Sequence, residues 1–141
     1  MNSATPISPE IEEILKDPKL FDKIDREFDK MIVGEKKARR TIFLFSCGRL
    51  VLNAESTSTN LLVNDESGMG KDHVTKNVLK IYPNWNGNPG IVHHRVRISP
   101  TAFCYWHNCK FEEDWTWDGK IFYGEDISNN VLNSDMFKLM A

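Results

Sequence analysis

The chain has 141 residues, with 40% apolar and 27% charged side chains, which suits one domain with a real core and excludes wholesale disorder. Its 18 basic and 20 acidic residues give a net charge of −2. The whole molecule is therefore no polycation, and any nucleic-acid contact would have to come from a local patch or from assembly. No apolar run approaches the roughly 18–20 residues that cross a bilayer, and the polar stretch Met1–Pro9 lacks the layout of a signal peptide. Cys47, Cys104 and Cys109 form no even disulfide framework, so a reducing, cytoplasmic setting is the expectation.

Residues 1–8 read as a loose tail. Ser8-Pro9 resembles an N-cap followed by proline at the first helical position, and Ile11, Ile14 and Leu15 follow at helical spacing. Asp17-Pro18 repeats the signal, and a second helix is predicted to about Met31, with Leu20, Phe21, Ile24 and Phe28 on one stripe. Gly34 is a break. A third helix is expected from Glu35 to about Leu52, basic at its start (Lys36, Lys37, Arg39, Arg40) and apolar later. Asn53–Asn60 reads as a polar loop.

From there strands and helices alternate. Leu61–Val63 reads as a strand, Lys71–Ile81 as a helix, Pro83–Gly90 as a loop and Ile91–Ile98 as a second strand. Ser99-Pro100 starts another helix running to about His107, Lys120–Gly124 is a third short strand, and a final helix begins near Asn130. The fold class expected is α/β: a P-loop NTPase core with a parallel sheet flanked by helices, preceded by a short helical segment. The expected division is a helical lead-in over 1–34 and a partial P-loop core over 35–141.

The motif that carries chemistry lies between the first of these strands and its helix. Asp65, Glu66, Ser67, Gly68, Met69, Gly70, Lys71, Asp72 and His73 form a glycine-containing turn that delivers a lysine to a helix start. Backbone N–H groups in such a turn cradle phosphates, the helix N-terminus adds positive potential, and the lysine neutralises charge. Two positions depart from G-x-x-x-x-G-K-[ST]: Asp65 replaces the first glycine and Asp72 the hydroxyl residue. Asp65 can be accommodated at the loop entrance if it faces outward. At Asp72 a carboxylate oxygen is a good hard-cation ligand in place of the hydroxyl.

Downstream, Lys120-Ile121-Phe122-Tyr123-Gly124-Glu125-Asp126 is an apolar strand ending in two acids, like a Walker B strand with the usual order of acids reversed. By position, Glu125 would join Asp72 in holding Mg²⁺, and Asp126 would activate the attacking water beside the catalytic Lys71.

These segments, with Met31-Ile32-Val33-Gly34-Glu35-Lys36-Lys37-Ala38-Arg39-Arg40 before them and Ile98-Ser99-Pro100-Thr101-Ala102-Phe103 between them, resemble the core of an AAA+ ATPase. Within that family the likeness is to primase-associated, helicase-type ATPases of archaea, phages and plasmids, and it covers roughly residues 31–130. The resemblance implies binding of ATP with Mg²⁺, coupling to DNA replication or helicase-like remodelling, and a homo-oligomer in a full-length form. It also implies a sensor residue, an arginine finger and a helical lid, for which the residues after Asp126 leave no room. The expectation is a truncated core that binds nucleotide and hydrolyses it poorly.

Two other readings compete. A small P-loop kinase acting on a nucleotide or metabolite also tolerates Gly-Lys-Asp, although sixty residues precede Leu61 here. A non-catalytic nucleic-acid or partner-binding module could use Lys36, Lys37, Arg39 and Arg40, or His93, His94, Arg95 and Arg97. Cys104, His107 and Cys109, with His93 or His94, fit no strong zinc spacing. Trp85, Trp106, Trp115 and Trp117 read as packing anchors.

Overall fold

Ser8 opens the first helix as its place before Pro9 predicts. In the computed structural model, which describes residues 7–50, 60–64, 70–83, 90–102, 117 and 119–140, Ser8 is extended and its Oγ accepts the Ile11 N–H at 3.4 Å. Helix α1 covers Pro9–Lys16 and α2 covers Leu20–Phe28. Gly34 at φ +72° and Glu35 at φ +51° both stand in the left-handed region, and this double turn leads into α3, Lys36–Gly48. Helix α4 covers Lys71–Leu79, strands β1 and β2 cover Val92–Arg95 and Ile121–Gly124, and α5 and α6 cover Asn129–Leu132 and Asp135–Met140.

β1 and β2 run parallel, with Val92 opposite Ile121 and Arg95 opposite Gly124. The chain is thus mixed α/β, with a two-stranded parallel sheet among the described residues. Pairing continues past the strands: the N–H groups of Glu125 and Asp126 donate to the carbonyls of Arg95 and Val96, each at 3.1 Å. The backbone of both acids is therefore fixed by the sheet.

The strand expected at Leu61–Val63 is not formed. Residues 60–64 are irregular, Leu61 and Leu62 are exposed, and Val63 packs against the core. An extended segment becomes a strand only through a ladder partner, and among the described residues Leu61–Val63 joins no sheet. The second strand is shorter than expected. The final helix is interrupted where Ser134 Oγ accepts the Phe137 N–H at 3.2 Å and so starts α6 afresh. The helix expected after Ser99-Pro100 begins with a turn in which the Ala102 N–H donates to the Ser99 carbonyl at 3.0 Å; residues 103–116 lie outside the described residues.

Phe28, Ile32, Ile42, Val74, Val78, Leu79 and Val92 form one buried cluster. Each such side chain contributes about 1.5–3 kcal/mol on burial. Phe28 and Ile32 precede residue 35 and Val74 follows it, so residues from both expected segments share this core. α1 stands apart from this core, with Ile11, Ile14 and Leu15 all exposed.

A charge network joins α2 to α3. Arg39 is fully buried; its Nη1 donates to the Ile32 carbonyl at 3.2 Å and its Nη2 to Asp29 Oδ1 at 2.6 Å. Arg40 donates from Nη2 and Nε to Asp25 Oδ2 at 2.5 and 3.0 Å. Arg39 Nε also lies 3.6 Å from Asp25 Oδ1, so removing either aspartate leaves the buried guanidinium charge less compensated. The same network corrects the expected basic surface at the start of α3: Arg39 and Arg40 are spent on aspartates.

Candidate phosphate-binding site

Gly70 caps α4 in the left-handed conformation, at φ +83° and ψ 9°. Lys71 follows as the first helical residue, half-buried, and its ammonium forms no ion pair among the described residues. Asp72 lies in the first turn, where the helix dipole favours a carboxylate. Asp65, Glu66, Ser67, Gly68 and Met69 fall outside the described residues.

One face of α4 meets the carboxyl end of β2. Asp72 and Lys76 are one turn apart and share that face. Tyr123 OH donates to Asp72 Oδ1 at 3.2 Å, and the Lys76 ammonium donates to Glu125 Oε1. His94, on β1, brings Nε2 to 2.7 Å from the same Glu125 oxygen and stacks on Tyr123 with ring centroids 5.2 Å apart. The two predicted metal-side acids, Asp72 and Glu125, are thus brought to one polar cluster.

The electrostatics follow from these contacts. The Lys76 hydrogen bond, supplemented by His94, holds the Glu125 carboxyl below its ordinary pKa against the opposing effect of burial. Burial, and then the negative charge of Asp72 and Glu125, push the Tyr123 hydroxyl far above its ordinary value. Tyr123 therefore remains a neutral donor to Asp72 at physiological pH.

The other predicted site residues lie elsewhere. Asp126 is exposed and pairs with the exposed Arg97 at 3.3 Å, on the surface and away from the cluster. His73 turns from the loop toward the α2–α3 connection, with Nε2 at 3.2 Å from the Met31 carbonyl. Alternation along the second strand splits the His93–Arg97 patch: His94 faces Glu125, whereas His93 packs edge-on against Trp117 with ring centroids 5.4 Å apart. Cys104, His107 and Cys109 lie outside the described residues, as do Trp85, Trp106 and Trp115. Lys76, His94 and Tyr123 are the cluster members that motif reading missed. The i,i+4 relation of Lys76 to Asp72 was the available signal.

As arranged, the two acids are already engaged by protein donors. Glu125 Oε1 already receives an ammonium and an imidazole, and Asp72 a hydroxyl. Among the described residues no group of three His, Cys, Asp or Glu side chains could hold a metal ion. Also among the described residues, no helix is long and apolar enough to cross a membrane. Comparison of the chain with protein-family models, curated proteins and solved structures finds no match.

Proposed function

We propose that this chain binds a nucleoside triphosphate, with the segment from Asp65 to Asp72 cradling the phosphates and Lys71 as the principal phosphate-binding cation. The observation that carries this reading is the entrance to α4. A left-handed glycine is followed at once by a half-buried lysine with no ion pair among the described residues. A lysine partly withdrawn from water gains from an anionic partner, and the first turn of a helix adds unpaired N–H donors directed at the same place. Ligands of open α/β sheets bind outside the carboxyl ends of parallel strands. The contacts of Asp72 with Tyr123 and of Lys76 with Glu125 put α4 at that end of β2.

The finer reading is a P-loop ATPase core of AAA+ type acting on DNA. It rests on the sequence resemblance, and ATP turnover stimulated by single-stranded DNA is its signature. Phosphoryl transfer to a small acceptor would favour the kinase instead. Within either chemistry Lys71 neutralises charge on the phosphates, and Glu125, fixed by the sheet backbone and by Lys76, borders the space above the strands. Asp126 as placed makes its ion pair at the surface with Arg97.

The test is calorimetric titration with ATP of the wild type and Lys71→Ala. Loss of a charge-assisted phosphate contact is expected to weaken binding by roughly ten-fold or more, with the circular dichroism spectrum unchanged. Equal affinity in the two proteins would sink the assignment.

A further inference from the structure

α1 carries an apolar stripe that no core residue covers. Ile11, Ile14 and Leu15 share one side of the helix by their spacing, and they are 51%, 49% and 56% exposed. No residue of α1 is buried. Glu10 and Glu12 border the stripe on either side, and Glu13 adds a third acid against one base, Lys16. A helix of this kind gains from a partner face that is both apolar and basic.

A face of that character lies on α3. Lys37, Thr41 and Leu44 follow at i, i+4 and i+7, all exposed, with the exposed Phe45 beside Leu44. α3 contains no acid, and Lys36 and Lys37 stand in its first turn, the end at which the helix dipole disfavours cations. Lys37 makes no ion pair among the described residues. The two surfaces also match in length: Lys37 to Leu44 spans roughly 10 Å of helix, and the eight-residue α1 roughly 12 Å.

We propose that α1 of one copy of this chain packs on the Lys37–Thr41–Leu44 face of α3 in a second copy, and that the second copy returns the contact. Ile11, Ile14 and Leu15 then meet Leu44 and Phe45, and the acids of α1 meet the lysines at the start of α3. One such contact is small. Two-fold symmetry makes it twice and closes the assembly as a dimer. Pairing of α1 with α1 would set acids against acids, and an anionic membrane surface would repel them in the same way.

Sedimentation equilibrium of the full chain, at concentrations up to roughly 0.5 mM, tests the idea. A monomer–dimer equilibrium is expected, and it should weaken several-fold as NaCl is raised from roughly 0.05 to 0.5 M. Ile11→Ser and Leu44→Ser are each expected to weaken it by roughly ten-fold or more, with unchanged circular dichroism because both side chains lie at the surface. Reversing the α1 charges with Glu10→Lys and Glu12→Lys should weaken it too. Adding Lys36→Glu and Lys37→Glu to that variant should restore it, a rescue that damage to the fold does not produce. A monomer at every concentration overturns the proposal, and this result needs no variant. A dimer that Leu44→Ser or Ile11→Ser leaves intact overturns it as well, as does failure of the combined charge reversal to restore association.

Discussion

Gly70 shows how much one backbone angle contributes to the site. At φ +83° an L-residue is strained, yet among the described residues, chain neighbours aside, no heavy atom lies within 4 Å of where a Cβ would stand. Substitution meets no collision with the described residues, and its conformational cost is about 1–2 kcal/mol. Gly70→Ala is expected to lower unfolding stability by about that amount in urea titration; an unchanged midpoint would show that the turn does not hold this angle in solution. Gly124 differs in kind. A Cβ there would meet the Ile127 side chain, which would have to move aside, so the glycine that closes β2 suits close packing next to Glu125. Residues of this sort are only half legible in sequence. The Gly-x-Gly-Lys pattern announces Gly70, whereas the need at Gly124 depends on a side chain three positions on that folds back.

At the scale of elements, the joint between α2 and α3 sets a pH dependence. The hydrogen bond from Arg40 holds the Asp25 carboxyl below its ordinary value, with Arg39 adding to the effect and burial opposing it. A carboxyl depressed in the folded state binds fewer protons there than in the unfolded chain. Its contribution is complete above the unfolded pKa and is lost as pH falls through the folded one. The urea midpoint should therefore fall as pH is lowered through and below the ordinary carboxylate range, and Asp25→Asn should flatten that fall. A midpoint with the same acid dependence in Asp25→Asn would reject this joint as its source. Element reading from sequence succeeded for α1 through α4, because caps, proline and helical spacing are local signals that survive whatever packs against them. It failed at Leu61–Val63, because a strand exists only through a partner, and an apolar triplet does not say whether one is present. It also misjudged Arg39 and Arg40. A basic run at a helix start looks like a solvated patch until the aspartates of the preceding helix are seen facing it.

For the whole molecule, the candidate site is assembled from places far apart in the chain. That Asp72 and Glu125 could meet was legible because their motifs are compact; which acid faces the cluster was not, because alternation at the end of β2 decides it. Glu125 turns to Lys76 and His94, and Asp126 turns to the exposed Arg97. The membership of His94 and Tyr123 follows from the pairing of β1 with β2, which places His94 opposite Tyr123. No local pattern encodes that register.

The parallel pairing has a kinetic consequence. The ion pair of Arg39 with Asp29 spans 10 residues and that of Arg40 with Asp25 spans 15, whereas the Arg49 Nη1 bond to the Gly119 carbonyl spans 70. Closing longer loops costs more chain entropy before any contact repays it, and non-local pairings form slowly. The α2–α3 joint is therefore expected to assemble before the sheet, whose pairing links Ile121 back to Ile91. In refolding followed by pulse-labelled hydrogen exchange, α3 amides should gain protection before the Ile121 amide that donates to Ile91 at 2.8 Å. Simultaneous protection would contradict that order. On this order the helical joint is a folding nucleus, and the cluster around Glu125 is completed after it, when the chain from Lys76 to Glu125 closes.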